Sequence, residues 1–261
     1  MKFIDAHIHL SDPAYNGKTP QIIEEARQTN VVAMVSNSMN LNTSKSSLRL
    51  AEEHTGLVYA ALGIHPWNTS QMLPNELEQT IDFIQQNAAN NKRVVAIGEI
   101  GLDPQYAKRK EQKELQGKVF HEMLHLAEKL TLPVIVHSRW SAEKILEILA
   151  LYRLRAVLWH WFSSSTDLLP KIIERGDYIS EGPPTVFSDR IQEVVRLAPL
   201  ERLLTETDGP VRYYGPFKDK LTTPAFIPKV VKTIGEIKGA KESEVAEQIY
   251  RNFVNFTQIR L

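Results

Sequence analysis

The chain has 261 residues, 43% of them hydrophobic and 24% charged, which suffices for a substantial core and excludes a collagenous, low-complexity or wholly disordered protein. Lys and Arg total 31, as do Asp and Glu, so a generally basic, nucleic-acid-coating protein is excluded while a local basic patch is not. With no Cys there is no disulfide, thiolate metal site or cysteine nucleophile, and any metal falls to carboxylates and the eight His.

The elements are read in chain order from apolar periodicity. Short, often β-branched runs occur at Phe3–Ile8, Val31–Val35, Leu57–Leu62, Val94–Ile97, Leu132–Val136, Ala156–Trp159, Tyr178–Ile179 and Arg202–Leu204. They read as strands buried on both faces of a parallel sheet, the seventh being the weakest. Amphipathic stretches lie between them, among them Pro20–Thr29, Pro74–Ala88, Glu111–Leu130, Ala142–Leu151 and Ser188–Leu197. Ser141 is placed to cap the helix that follows it. Gly209–Thr223 reads as a long functional loop, and two helical segments, Pro224–Lys238 and Glu242–Phe253, finish the chain. Eight such units in this length predict an α/β fold, a (β/α)8 TIM-type barrel forming one domain over residues 1–261. A doubly wound open sheet is the rival, weakened because no Gly-rich phosphate fingerprint follows the first strand. No run reaches the ~18–20 apolar residues of a membrane span. Asp5 and His7 stand where a signal peptide needs its apolar stretch, so a soluble cytoplasmic protein is expected.

The chemistry concentrates at strand ends. Asp5-Ala6-His7-Ile8-His9 puts His7 and His9 on one face of the first strand, where two imidazoles can chelate one divalent ion. His65 follows the third strand, Glu99 the fourth, His137 the fifth, His160 the sixth and Asp208 the eighth. In a barrel all these carboxyl ends surround one mouth. Four of these His (His7, His9, His137 and His160) with Glu99 and Asp208 are enough for two metals sharing a carboxylate. Glu206, two residues before Asp208, is an alternative ligand to it. His65 is read as a substrate contact, Asp103 as fixing its loop or supporting a ligand from behind, and Asp5 as orienting a histidine. His54, His121 and His125 fall in helical patterns and are read as surface or packing residues.

In this order, Asp-Ala-His-Ile-His, Gly63-Ile64-His65-Pro66, Gly98-Glu99-Ile100-Gly101-Leu102-Asp103, His137-Ser138-Arg139, His160-Trp161-Phe162-Ser163 and Glu206-Thr207-Asp208-Gly209-Pro210 resemble the TatD-type metal-dependent hydrolases. That family lies in the amidohydrolase superfamily and includes deoxyribonucleases. The resemblance runs from Asp5 to Asn252. It implies a barrel with two divalent ions (Zn, Mg, Mn, Co or Ni), one on His7, His9, Glu99 and Asp208 and the other on Glu99, His137 and His160. A bridging glutamate at Glu99, where related lactonases and phosphotriesterases carry a carboxylated lysine, favours the nuclease-like branch. Trp67, Trp161, Ser164 and the loop Val211–Thr223 depart from the family pattern, and all border the mouth without removing a ligand.

The reaction expected is a phosphodiester cleavage, most simply by a 3′-to-5′ deoxyribonuclease on single-stranded or frayed DNA. Asp208 is the expected proton acceptor, His65 the group near the leaving oxygen, and Arg139 a fork for a phosphate. The basic run Lys108-Arg109-Lys110 with Lys113 is a second candidate contact for a nucleic-acid backbone, and Tyr106 and Trp161 are candidate stacking partners for a base. Hydrolysis of another ester or amide, such as an aminoacyl-tRNA or a small phosphoester, is the alternative. A non-catalytic metal-binding module is the third reading.

Overall fold

A computed structural model describes residues 1–69 and 71–259. Eight parallel strands follow one another in chain order within one sheet. They are β1 Phe3–Ile8, β2 Val31–Asn37, β3 Val58–Leu62, β4 Val94–Gly101, β5 Val134–His137, β6 Val157–Trp159, β7 Tyr178–Glu181 and β8 Leu203–Thr205. Just past the ends of β1 and β8 the sheet meets itself: the Asp208 amide donates to the His7 carbonyl at 2.9 Å and the His9 amide to that of Gly209 at 2.8 Å. Thr205 adds a hydroxyl donation to the Ile4 carbonyl at 2.6 Å. This is the expected (β/α)8 barrel.

The intervening helices are α1 Thr19–Gln28, α2 Leu41–Glu53, α3 Pro66–Thr69, α4 Pro74–Asn90, α5 Lys110–Leu130, α6 Ala142–Leu149, α7 Leu169–Glu174, α8 Asp189–Leu197, α9 Ile227–Lys238 and α10 Glu242–Thr257. They shield the strands, nearly all of whose residues are buried, as the apolar runs require when both sheet faces are covered. The start of α2 was legible in hindsight: Asn40 accepts from the Thr43 amide while the Thr43 hydroxyl accepts from the Asn40 amide, both at 3.0 Å, a reciprocal cap. Ser141 corrects an expectation. Its hydroxyl makes no cap bond to α6 and donates instead to the Leu102 carbonyl at 2.6 Å, tying the ends of β4 and β5 together.

Gly101 shows how tightly those two strand ends pass. Its φ is +152° and a Cβ there would lie 2.0 Å from the His137 carbonyl oxygen. Backbone cannot yield as a flexible side chain does, so Gly101→Ala is expected to cost about 3 kcal/mol, the upper end of overpacking. A urea-midpoint shift equivalent to less than about 1 kcal/mol would refute this account of the crossing.

Candidate metal centre

The strand ends bring His7, His9, His65, Glu99, His137, His160 and Asp208 together, all but His9 buried. Glu99 is the hub. Its Oε1 lies 2.8 Å from His137 Nδ1, 2.8 Å from His160 Nε2 and 3.1 Å from His65 Nε2. Its Oε2 faces the other way, 3.4 Å from His7 Nε2 and 3.2 Å from His9 Nε2. Asp208 Oδ1 joins that second group at 3.4 and 3.5 Å from the same two nitrogens. Each oxygen of one carboxylate therefore serves a different set of imidazoles. Burial alone would raise the Glu99 pKa, but the surrounding histidines, His65 and His160 foremost, hold it well below the carboxylate range. Asp208 is held down in the same way against its burial, first by His7 and His9.

Neighbours orient the rings. His9 Nδ1 is 3.1 Å from the Asn37 carbonyl oxygen. His137 Nε2 is 2.9 Å from Asp103 Oδ2, while Asp103 Oδ1 accepts from the Gln105 amide; Asp103 thus fixes its loop and a histidine at once. His160 Nδ1 is 3.5 Å from Glu206 Oε1, and Glu206 also accepts from the Ser180 hydroxyl. The spacing of Glu206 left its role open. It sits behind His160, away from Glu99, although His7, His160 and Glu206 also approach closely enough to form a metal-competent trio. Among the described residues, Asp5 bonds to no imidazole ring. It accepts from the Thr207 amide at 3.0 Å and hydroxyl at 2.5 Å, and from the His7 amide at 3.3 Å, so it joins β1 to the segment after β8.

His65 differs from the other rings. Burial lowers its pKa to about 4, against the pull of Glu99, so it is neutral at pH 7. Its Nδ1 accepts the Trp67 amide at 3.1 Å, which puts the ring proton on Nε2, facing Glu99 and His137. Burial acts on His9 in the same direction, but Asp208 and Glu99 overcome it and raise that pKa to about 10.

Outside the cluster, Arg139 is exposed with its guanidinium carbon 4.0 Å from the Trp140 ring centroid, and among the described residues it makes no ion pair. Lys108, Arg109, Lys110 and Lys113 surround the start of α5. Tyr106 packs on Trp67, and Trp161 packs on Tyr213. His54 caps the end of α2, and His121 and His125 contact Tyr152 far from the mouth. Glu181 was missed from sequence. It ends β7 fully buried with both carboxylate oxygens lacking a hydrogen-bond partner, and burial together with Glu206 raises its pKa strongly.

A family model described as TatD related DNase matches residues 4–258. The chain belongs to this family. Membership makes it an enzyme, a metal-dependent hydrolase. It is 32% identical over 257 residues to human deoxyribonuclease TATDN3, covering 95% of this chain and 92% of that one. To the 3′-5′ ssDNA/RNA exonuclease TatD of Erwinia tasmaniensis it is 29% identical over 259 residues, covering 95% and 96%. The crystal structure of the TatD homologue YjjV from Escherichia coli superposes with a TM-score of 0.88 at 28% identity, covering 99% of this chain and 98% of that one. No helix among the described residues is long and apolar enough to cross a membrane.

Proposed function

We propose that this family member is a 3′-to-5′ deoxyribonuclease acting on single strands or frayed ends, with two divalent ions held across Glu99. The observation that carries the ion pair is the division of the Glu99 oxygens between two sets of imidazoles. A cation fits the donor set. His7 and His9 turn their Nε2 atoms to within 3.3 Å of each other, and Glu99 Oε2 beside them makes no hydrogen bond despite its burial. Lone pairs converging in a dry site are stabilised by positive charge. In this reading His7, His9, Glu99 and Asp208 would hold one ion, and Glu99, His137 and His160 the other. Zn, Mn, Mg, Co and Ni all accept such imidazole and carboxylate donors. When bound, the ions supply Lewis acidity and lower the pKa of water.

The remaining roles belong to the chain. Asp208, kept ionised by its neighbours, accepts the proton of the attacking water. Neutral His65 acts as a hydrogen-bond donor through Nε2, which stabilises charge building on the leaving oxygen without giving up the proton. Arg139, its guanidinium carbon 4.0 Å from the Trp140 ring centroid, presents N–H groups to a phosphate. The names of the DNase and exonuclease relatives support the choice of phosphodiester over other esters. A cluster buried at the barrel mouth is also reached more readily by a strand end than by the interior of a duplex.

The test is a panel of labelled single-stranded DNA, RNA, aminoacyl-tRNA and aryl phosphoesters with the metal-loaded protein. Mononucleotides released from the 3′ end of DNA are expected. Turnover of aminoacyl-tRNA without DNA cleavage would overturn the reading. Arg139→Ala is expected to weaken phosphodiester turnover by about 1.5–3 kcal/mol, the range for a hydrogen bond to a charged group. Equal losses on a neutral ester would show that Arg139 supports the site generally instead of gripping phosphate.

A further inference from the structure

The large aromatic side chains that this protein leaves exposed are gathered at one end. Trp67 is 39% exposed, Trp140 59% and Tyr214 77%, and Phe187 stands at 36%. They follow β3, β5, β8 and β7 respectively, so the topology delivers all four to the face that carries Glu99. Isolated exposed apolar residues need no explanation, but aromatic surface collected around a catalytic mouth does.

Charge is gathered there as well. The loops after β4, β5, β6 and β8 expose Lys108, Arg109, Arg139, Arg212, Lys218 and Lys220 against two exposed carboxylates, Asp167 and Asp219. The chain as a whole is neutral, so this is segregation and not composition. Lys108, Arg109 and Lys110 moreover cluster at the N-terminal end of α5, where the helix dipole disfavours cations. Positive charge placed against local stability, among exposed aromatic rings, matches a ligand with a polyanionic backbone and flat apolar faces. A single-stranded nucleic acid has both.

Of these rings, Trp67 has the closest tie to the centre. Its amide donates to His65 Nδ1 at 3.1 Å, and its ring stands edge-on to the His65 ring with centroids 5.0 Å apart. Tyr106, from the loop after β4, packs on it at 4.7 Å with the planes tilted by 38°. Two elements, α3 and the loop after β4, thus hold one indole against the cluster while leaving part of its surface to solvent.

We propose that Trp67, braced by Tyr106, is a stacking subsite for the nucleobase next to the scissile phosphate. This rests on the nuclease reading and deepens it: the enzyme would select strands whose last bases are unpaired and free to leave the helical stack. Every base offers a π face, so the subsite confers preference for single strands without preference for sequence.

The experiment compares two labelled single-stranded oligonucleotides, identical except that the last two 3′ nucleotides of one are abasic. Wild-type enzyme is expected to favour the intact end in kcat/KM by about 5- to 150-fold, the range that base–aromatic stacking supplies. Trp67→Ala is expected to collapse that preference to near unity, and Trp67→Phe to retain most of it. A preference that is absent in the wild type, or undiminished in Trp67→Ala, overturns the proposal. The same oligonucleotides bound to metal-loaded Asp208→Asn protein, read by fluorescence anisotropy, test stacking without turnover. Base-dependent binding that needs Trp67, with no cleavage by the wild type, would sink the nuclease reading and support the subsite. Cleavage with no base dependence would do the reverse.

Discussion

Asp208→Asn is expected to lower kcat at least ~100-fold while leaving the barrel folded, since general-base assistance is typically worth 10²–10⁴. The two side chains are nearly equal in volume, and the backbone bond from the Asp208 amide to the His7 carbonyl is untouched by the change. Asparagine still offers an oxygen toward His7 and His9, but it cannot take a proton from water. It also removes a negative charge from beside those histidines, so metal affinity should fall while substrate binding changes less. Glu206→Gln is the control. That carboxylate is two residues away in sequence yet sits behind His160, accepting from Ser180, so its loss is expected to stay within about the 10- to 100-fold typical of groups that orient a ligand. Near-normal turnover in metal-loaded Asp208→Asn would remove Asp208 from the proton transfer. An equally complete loss in Glu206→Gln would show that the position behind His160 matters as much as the one facing His7 and His9.

If Glu99 bridges two ions as proposed, Glu99→Gln is expected to reduce bound metal to one ion per chain or none and to lower kcat/KM by at least ~100-fold, more than loss of an orienting group costs. An amide has one good acceptor oxygen, whereas Glu99 presents one to His137, His160 and His65 and another to His7 and His9. Elemental analysis after saturation with Zn or Mn reads the stoichiometry, and two ions retained in the variant would refute the bridging role. Chelation of the wild type should abolish hydrolysis reversibly. It should also lower stability, because ions that bind only the folded chain stabilise it by about 4 kcal/mol per site at a thousandfold excess over Kd. In a chain of this size that corresponds to a shift in Tm on the order of 10 °C per site. An unchanged Tm on chelation and re-addition would mean that the cluster holds no ion tightly.

The clustering of the candidate ligands was legible because barrel topology converts sequence order into position. A polar side chain at the carboxyl end of any of the eight apolar runs must arrive at one mouth, and His7, Glu99, His137, His160 and Asp208 did. The strand runs were legible for a related reason: both faces are covered, so their burial demands uninterrupted apolar stretches. The short helices α3 and α7 left no such trace, since four or six residues give too little periodicity to read.

Orientation was invisible in sequence. Asp5, two residues from His7 on the same face, was expected to orient a histidine; it accepts from the His7 backbone amide, and the meeting of β1 with the chain after β8 gives it the Thr207 amide and hydroxyl as well. Glu206 and Asp208 occupy equivalent-looking places in one motif, and only the fold turns one toward His160 from behind and the other toward His7 and His9. Trp67 and Tyr106 lie far apart in the chain and meet because adjacent strands deliver their loops side by side. Sequence by itself determined which residue types reach the mouth, since strand periodicity and chain order govern that. Which atom of each faces the shared centre depends on contacts between segments distant in sequence, and those exist only once the barrel has closed.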